Sequence, residues 1–341
     1  MAVKVGINGL GRIGRATLKV ILDDTPDLDL VAVNDIGSLE NMAYLLKYDT
    51  VYGRYHRSVE TRADKLIVGG KEIAFLSERD PANLPWGELG VELVFECTGI
   101  FTNREDAAKH IHAGAKWVIL SGPTKSKDVP TVVHGVNRGD SDKYILSCAS
   151  CTTNNIAPVI EIMNRHLGVE KAIMTTVHAY TASQSLVDSP GGKSDMRRGR
   201  AAAANFVPSS TGAAIATTKA IPELEGLFDG VSIRGPVTCG SIADVVMLTR
   251  RDTTVEEVND IFRQEAASER YQGILGVTED ALVSSDILMD PRASIVQLDM
   301  TRVVAGNLVK IMSWYDNEWG FTNQMIRTAL AALGLREPAV G

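Results

Sequence analysis

The chain has 341 residues, enough for about two domains at roughly 150 residues each. Apolar residues make up 45% and charged residues 23%, a globular balance that excludes disorder, and no run approaches the ~18 apolar residues of a membrane span. A net charge of −7 and a pI near 5.5 argue against nucleic acid as the main partner, because backbone binding needs a broad basic surface. Four cysteines are too sparse for a disulfide scaffold and point to a reducing, cytoplasmic compartment; Met1-Ala2-Val3-Lys4-Val5 opens on a strand with no signal-peptide core.

In chain order, strands are expected at Val3–Asn8, Leu28–Asn34, Val91–Cys97, Trp117–Leu120 and Tyr144–Cys148. They are dense in Val, Ile and Leu with little alternation, as strands covered on both faces are. Helices fall between them, over Arg12–Asp23 and Arg104–Ala113, and Gly69-Gly70 reads as a hairpin turn. Strand and helix in alternation predict an α/β, doubly wound parallel sheet of Rossmann type over residues 1–150. From residue 151 the pattern becomes mixed α+β: a helix after Thr152, strands at Ala172–Val177, Ala243–Thr249, Ser294–Asp299 and Leu308–Trp314, and a helix at Val255–Ala267. This predicts a second domain over 151–318 with a mixed or antiparallel sheet. The final helix, within 319–341, is amphipathic and is expected to return to the first domain. Residues 180–203 form a long segment rich in Ser, Gly, Arg and Ala, and long loops in compact domains are usually functional.

Gly9-Leu10-Gly11-Arg12-Ile13-Gly14 is a G-x-G-x-x-G run between the first strand and the first helix. In that setting Gly9 permits the tight turn, Gly11 lets the backbone approach a pyrophosphate, and Gly14 lets helix and strand pack closely. The helix N-terminus adds free N–H groups and a positive dipole end. Asp35, 21 residues after Gly14, ends the second strand, where a carboxylate accepts from a ribose hydroxyl and repels a 2′-phosphate. NAD is therefore the expected cofactor, favoured over NADP.

Ser150-Cys151-Thr152-Thr153-Asn154 lies between a strand and a helix, a place that lowers a thiol's pKa. His178 follows 27 residues later, after the next strand, and a Cys/His pair makes an activated nucleophile. The plainer reading of each is a buried Cys and a hydrogen-bonded His. The six histidines suggest no metal site; His110-Ile111-His112 reads as a surface helix end.

These strings, with Val33-Asn34-Asp35, Glu78-Arg79-Asp80-Pro81, Thr176-Val177-His178-Ala179-Tyr180-Thr181, Ser210-Thr211-Gly212-Ala213-Ala214 and Ser313-Trp314-Tyr315-Asp316-Asn317-Glu318, run the length of the chain. Together they resemble the phosphorylating glyceraldehyde-3-phosphate dehydrogenase family. The resemblance implies oxidation of glyceraldehyde 3-phosphate with NAD and inorganic phosphate, through a hemithioacetal and a thioester on Cys151, with His178 as base. It implies that Arg12, Ile13, Asp35, Arg79 and Ser121 line the NAD site and that Asn317 holds the nicotinamide carboxamide. It assigns the substrate phosphate to Thr181 and Arg234, and the aldehyde and inorganic phosphate to Ser150, Thr152, Arg200, Thr211 and Gly212. It further implies a homotetramer in which the loop at 180–203 reaches a neighbouring subunit, and no membrane partner. Arg197, Arg198, Arg200 and Arg234 are the cations available to draw two anions into an acidic protein.

The chain departs from the family at Cys148, Asn155, Ser183, Gly235 and Cys239. Cys148 and Cys151 make a C-x-x-C, conceivable as a redox switch but more plainly a small residue at a strand end. Two alternatives stand beside the leading reading. One is an erythrose-4-phosphate dehydrogenase, which hydrolyses its thioester. The other is a non-enzymatic nucleotide- or RNA-binding protein on the same fold, against which the acidic charge and the Cys/His pair count.

Overall fold

The computed structural model describes residues 2–138, 144–191 and 195–335; the parts of the expected 180–203 loop and C-terminal helix at 192–194 and 336–341 lie outside them. The chain separates into two compact units, one of Met1–Val132, Gly139–Ala149 and Met325–Ala339, the other of Val133–Arg138, Ser150–Gln324 and Val340–Gly341.

The first unit runs β1 (Val3–Asn8), α1 (Arg12–Asp24), β2 (Leu28–Asn34), α2 (Leu39–Lys47), β3 (Tyr48–Asp49), β4 (Gly53–Arg54), β5 (Val59–Arg62), β6 (Lys65–Val68), β7 (Lys71–Leu76), α3 (Trp86–Leu89), β8 (Leu93–Glu96), α4 (Arg104–His112), β9 (Trp117–Leu120) and β10 (Ile145–Ser147). Its sheet has the order β10-β9-β8-β1-β2-β7-β6-β5. All pairs from β10 to β7 are parallel, and the β6–β7 and β5–β6 pairs at one edge are antiparallel. Val5, Ile7, Leu30, Leu93, Val94 and Phe95 are all fully buried, because helices cover both faces of these strands. The order reverses at β1, whose sequence neighbour β2 lies on one side and β8 on the other. That reversal is the crevice where doubly wound sheets bind ligands. Gly69-Gly70 makes the expected hairpin between β6 and β7.

The second unit runs α5 (Cys151–Leu167), β11 (Val169–Ala179), β12 (Val207–Ser210), α6 (Ala213–Ala220), β13 (Phe228–Gly235), β14 (Ser241–Thr249), α7 (Val255–Ala266), β15 (Leu275–Thr278), β16 (Ser294–Gln297), β17 (Arg302–Val304) and β18 (Leu308–Tyr315), and α8 (Trp319–Ala332) begins within it. Its sheet, β12-β13-β11-β14-β18-β16-β15 with β17 beside β18, is mixed: β11–β13 and β15–β16 are parallel and the others antiparallel. Along β14 the residues Ser241, Ala243, Val245, Met247 and Thr249 are buried while those between them are half-exposed, so one face is covered and the other open. Alternation is what marks such a strand in the sequence. β13 lacks it, because Gly230 interrupts Phe-Asp-Gly-Val-Ser-Ile-Arg-Gly, and it goes unrecognised there although it carries Arg234.

One expectation is overturned. His110 is not on a surface helix end but fully buried, with Trp86 Nε1 donating to its Nδ1 at 3.0 Å and Glu96 Oε2 lying 3.0 Å from its Nε2. A sequence shows a histidine near a helix end; it does not show which face of the helix the sheet covers.

Candidate active site

In the first unit the glycine turn is built as its sequence requires. Gly9 has φ +94°, and a Cβ there would meet Thr98 N at 2.8 Å; a Cβ on Gly14 would lie 1.8 Å from the Gly9 carbonyl oxygen. At Gly11 a Cβ would meet nothing within 4 Å, so open space lies over the backbone there. Gly11 also caps α1 without a side-chain hydrogen bond, which leaves the first-turn N–H groups for an anion. Asp35 Oδ2 accepts from Leu10 N at 2.7 Å and Oδ1 from Gly37 N at 2.8 Å. Each oxygen keeps lone-pair capacity for a hydroxyl. Arg12 lies on α1 with Nη1 2.5 Å from Asp49 and its guanidinium 5.3 Å from the Tyr52 ring centroid. Ile13 follows it, Arg79 is exposed, and Ser121 continues β9 with its N–H on Glu96 O at 3.0 Å. A strand–glycine turn–helix with open N–H groups and a terminal carboxylate fits NAD.

In the second unit Cys151 is the first residue of α5. Ala149 before it takes a left-handed conformation, φ +57°, and Ser150 caps the helix, its Oγ accepting from Thr153 N at 3.1 Å. His178 lies within β11 rather than after it, its Nε2 3.4 Å from Cys151 Sγ. Parallel register places Arg234 of β13 beside His178. His178 Nδ1 is 2.7 Å from its neighbour's carbonyl, Ala179 O, while Arg234 Nη1 is 2.9 Å from Nδ1 and 3.3 Å from the same oxygen. One nitrogen cannot serve both partners. The shorter contact joins nitrogen to an acceptor and needs a proton between them, so we assign Nδ1–H to Ala179 O, which Arg234 shares as second donor. Nε2 is then bare and faces the sulfur.

Burial, then the charge on Arg234, pushes His178 down to about 3. Burial pushes the Cys151 thiol up, against Arg234, the Thr152 hydroxyl and the helix-start N–H groups, which pull it down. The resting pair is thus a thiol and a neutral imidazole, ready to pass a proton from Sγ to Nε2.

Other expected residues lie in the same unit. Asn317 Oδ1 accepts from Gly240 N at 3.1 Å and Ser241 Oγ at 2.9 Å, which turns its Nδ2 into the available donor. Thr181 Oγ1 is 2.9 Å from Ser183 Oγ, which accepts from Arg198 Nη1 at 3.2 Å. Burial, and to a lesser degree the nearby Arg198, disfavours the charge on Arg234, whose Nε–H is buried with no partner. Two cations facing each other around hydroxyls and an orphaned donor suit a phosphate dianion. Thr211 and Gly212 open α6, the Thr211 hydroxyl accepting from Ala213 N at 3.2 Å. Arg200 is not brought into this cluster; it pairs with Asp188 at 2.9 Å on the surface.

Tyr315, missed as a site residue although its string is quoted above, ties the centre together. Its hydroxyl is 2.9 Å from Thr152 Oγ1 and 2.8 Å from Thr176 Oγ1, and its ring meets His178 edge-on at 5.8 Å. All four cysteines are free, and burial pushes Cys148 up to about 12 against a hydrogen bond from Thr328.

Residues 3–104 match the family pattern described as glyceraldehyde 3-phosphate dehydrogenase, NAD binding domain, and residues 150–317 its C-terminal domain. The chain is 48% identical over 329 residues to the glyceraldehyde-3-phosphate dehydrogenase of Streptomyces coelicolor, covering 96% of this chain and 97% of that one. It is 47% identical to that of Zymomonas mobilis (96% and 98% covered) and 45% identical to that of Geobacillus stearothermophilus (98% and 100%). With both domains matched and near-complete coverage, the chain belongs to the glyceraldehyde-3-phosphate dehydrogenase family.

Proposed function

We propose that the protein oxidises D-glyceraldehyde 3-phosphate with NAD and inorganic phosphate to 1,3-bisphosphoglycerate, with Cys151 as nucleophile and His178 as its base. The observation that carries this reading is the 3.4 Å approach of Cys151 Sγ to His178 Nε2, the nitrogen that the assigned tautomer leaves without a proton, with Arg234 beside the imidazole. Sγ adds to the aldehyde carbon as its proton passes to Nε2 and on to the new oxygen, giving a hemithioacetal. Nε2 takes that hydroxyl proton as the carbon is oxidised to a thioester. NAD, when bound, supplies the two-electron acceptor for this step. A phosphate oxygen then attacks the thioester carbon, the sulfur leaves, and Nε2–H reprotonates it.

The residues around the pair divide the binding. Arg234 and Thr181, with Ser183 and Arg198 behind them, take the phosphate the substrate carries. Ser150, Thr152, Thr211 and Gly212 serve the reacting carbon and the incoming phosphate. Arg200 joins them only by leaving its exposed pair with Asp188, which solvent screens. Asn317 Nδ2 donates to the nicotinamide carboxamide, while Gly9, Gly11, Arg12, Ile13, Gly14, Asp35, Arg79 and Ser121 hold the rest of NAD. The first unit is in this reading the cofactor domain and the second the catalytic domain.

The assembly is a homotetramer working in the cytoplasm. Supporting it is the open face of the second sheet, where Ile173 is 61% and Val231 50% exposed and Val177, Ile242 and Val246 continue the apolar surface across three strands. Among the described residues no helix is long and apolar enough to cross a membrane.

The deciding experiment follows NADH formation from glyceraldehyde 3-phosphate with and without phosphate. Phosphate-dependent turnover, and an acyl group trapped on Cys151 in its absence, is the expected result. Turnover that releases acid without phosphate would assign the hydrolytic erythrose-4-phosphate chemistry instead. No acyl group and no turnover would leave a binding protein.

A further inference from the structure

Asn34, Asn8 and Glu96 stand side by side in register at the C-terminal ends of β2, β1 and β8, in the crevice of the first unit. All three are almost wholly buried. Three polar side chains in a row are expensive in a core unless every hydrogen bond is met. Within the row the side-chain amides donate toward Glu96, and Asn34 also exchanges bonds with the backbone of Glu78. Glu78 O accepts from Asn34 Nδ2 at 2.9 Å, and Glu78 N donates back to Asn34 Oδ1 at 2.8 Å. Asn34 Nδ2 also donates to Asn8 Oδ1 at 2.7 Å, and Asn8 Nδ2 donates to Glu96 Oε2 at 2.6 Å. From the other side Trp86 Nε1–H donates to His110 Nδ1 at 3.0 Å, which places the imidazole proton on Nε2, aimed at the same Oε2 at 3.0 Å. Thr98 N donates to Oε1 at 2.8 Å, and the Thr98 hydroxyl donates there too.

Four donors therefore converge on one carboxylate. Glu96 is the only member of the row that accepts without donating, and the direction of every other amide and of the His110 tautomer follows from it. The segments it fixes are those that face the cofactor crevice. Thr98 is the residue against which Gly9 packs, its N lying 2.8 Å from where a Gly9 Cβ would be. Asn34 precedes Asp35 and receives Gly9 N on its carbonyl at 2.8 Å. Glu78 precedes Arg79.

We propose that Glu96 is a positioning residue for NAD: it touches no part of the cofactor, and through Asn8, Asn34, His110 and Thr98 it sets the glycine turn, Asp35 and Arg79 in the arrangement that binds it. This rests on the reading of the first unit as the NAD site. It also accounts for a carboxylate kept beneath a pyrophosphate-binding turn, where its charge alone would oppose the ligand: no neutral side chain of that size accepts four donors. Glutamine, the isostere, turns an amide NH2 against Asn8 or Thr98 and so breaks the chain of donors.

The test compares wild type with Glu96→Gln, measuring the Kd of NAD by titration, the KM values of NAD and of glyceraldehyde 3-phosphate, kcat at saturating NAD, and thermal unfolding. The expected result is a rise of about tenfold in Kd and KM for NAD, the size of one lost or misdirected buried hydrogen bond. The KM of the aldehyde and kcat stay within about twofold. A folded variant whose Kd for NAD equals that of wild type overturns the proposal, whatever its melting temperature, because the row is then only structural. Equal rises in both KM values overturn it as well. Should Glu96→Gln fail to fold, Thr98→Ala removes one of the two donors that residue gives the carboxylate, the hydroxyl, and keeps its N–H, at a partly exposed position; a rise of about threefold in the Kd of NAD supports the proposal, and no rise overturns it. A wild-type protein that binds no NAD overturns the underlying reading instead.

Discussion

The two units present their functional groups by different means. In the first, what faces the crevice is mostly backbone: the N–H groups that open α1, uncovered because Gly11 has no side chain to lay over them, plus one carboxylate, Asp35, itself held by two backbone N–H groups. In the second, the groups proposed for the chemistry are side chains, each delivered by a different element: Cys151 from α5, His178 from β11, Arg234 from β13, and Asn317 after β18. A backbone site is insensitive to most substitutions and is undone by a Cβ in the wrong place. A side-chain site fails at a single exchange. The largest effects are therefore expected in the second unit, as losses of rate, and the smaller ones in the first, as losses of cofactor affinity.

Cys151→Ser breaks the comparison at its most sensitive point. A serine hydroxyl in the same position stays protonated and adds poorly to an aldehyde, so turnover falls on the order of 10⁴-fold or more while NAD binding is unchanged. Retained turnover, followed as NADH formation, sinks the mechanism. His178→Asn comes next, with an expected loss of ~10²–10⁴-fold in kcat. It also carries a stability signature. The folded-state value of about 3 lies below the ordinary 6.5, so between these limits the unfolded chain binds the extra proton. Wild type then loses stability as pH falls through 6.5 toward 3, and His178→Asn loses less over the same window. Urea midpoints at several pH values in this range check it; parallel curves for the two proteins would show that His178 titrates normally.

The contrast between the units also decides what the sequence discloses. The glycine turn is legible because each glycine answers a local requirement: a positive φ at Gly9, a helix pressed on a strand at Gly14. The parallel sheet is legible from runs of buried Val, Ile and Leu. Cys151 and His178 are visible as residue types, but their contact depends on where β11 and α5 come to lie, 27 positions apart. Arg234 reaches His178 only through the register of β11 on β13, and β13 is hidden by Gly230. Choosing among Arg197, Arg198 and Arg200 needed the loop's own fold, which turns Arg198 to Ser183 and Arg200 to Asp188. The buried row ending on Glu96 and His110 was missed for a related reason. Polar residues at strand ends look like loop residues until the register shows them side by side.

Arg234→Ala sharpens the comparison within the second unit, because it separates binding of an anion from tuning of the nucleophile. Charge-assisted hydrogen bonds contribute about 1.5–3 kcal/mol, so kcat/KM for glyceraldehyde 3-phosphate is expected to fall by roughly 10- to 150-fold, with a far smaller loss for unphosphorylated glyceraldehyde. Arg234→Lys restores only part, since an ammonium lacks the planar fork. Equal losses for both aldehydes would place the phosphate elsewhere. The same change acts on the thiol. Arg234 pulls Cys151 down and, after burial, pushes His178 down, so its removal raises both. The pH at which Cys151 becomes reactive toward iodoacetamide therefore moves upward in Arg234→Ala; a downward move contradicts the geometry.

The smallest effect is expected at Asp35, the carboxylate at the end of β2. Its two oxygens each accept one backbone N–H, from Leu10 and from Gly37, and each keeps a lone pair for a further donor. A ribose diol donates to those lone pairs, whereas a 2′-phosphate brings negative charge against them. Asp35→Gly removes attraction and repulsion together. NAD binding weakens by about tenfold, toward the low end for a hydrogen bond to a charged group, because the Leu10 and Gly37 N–H groups are freed to meet the ribose oxygens. NADP binding improves in the same variant, since those N–H groups now face its 2′-phosphate with no carboxylate between. The ratio of the two affinities thus moves more than either alone, and it is the quantity to measure, by titrating wild type and variant with both cofactors. Loss of NAD and NADP binding in equal proportion would mean that Asp35 serves only to hold the Leu10 and Gly37 backbone, and that the choice of cofactor is made by another group.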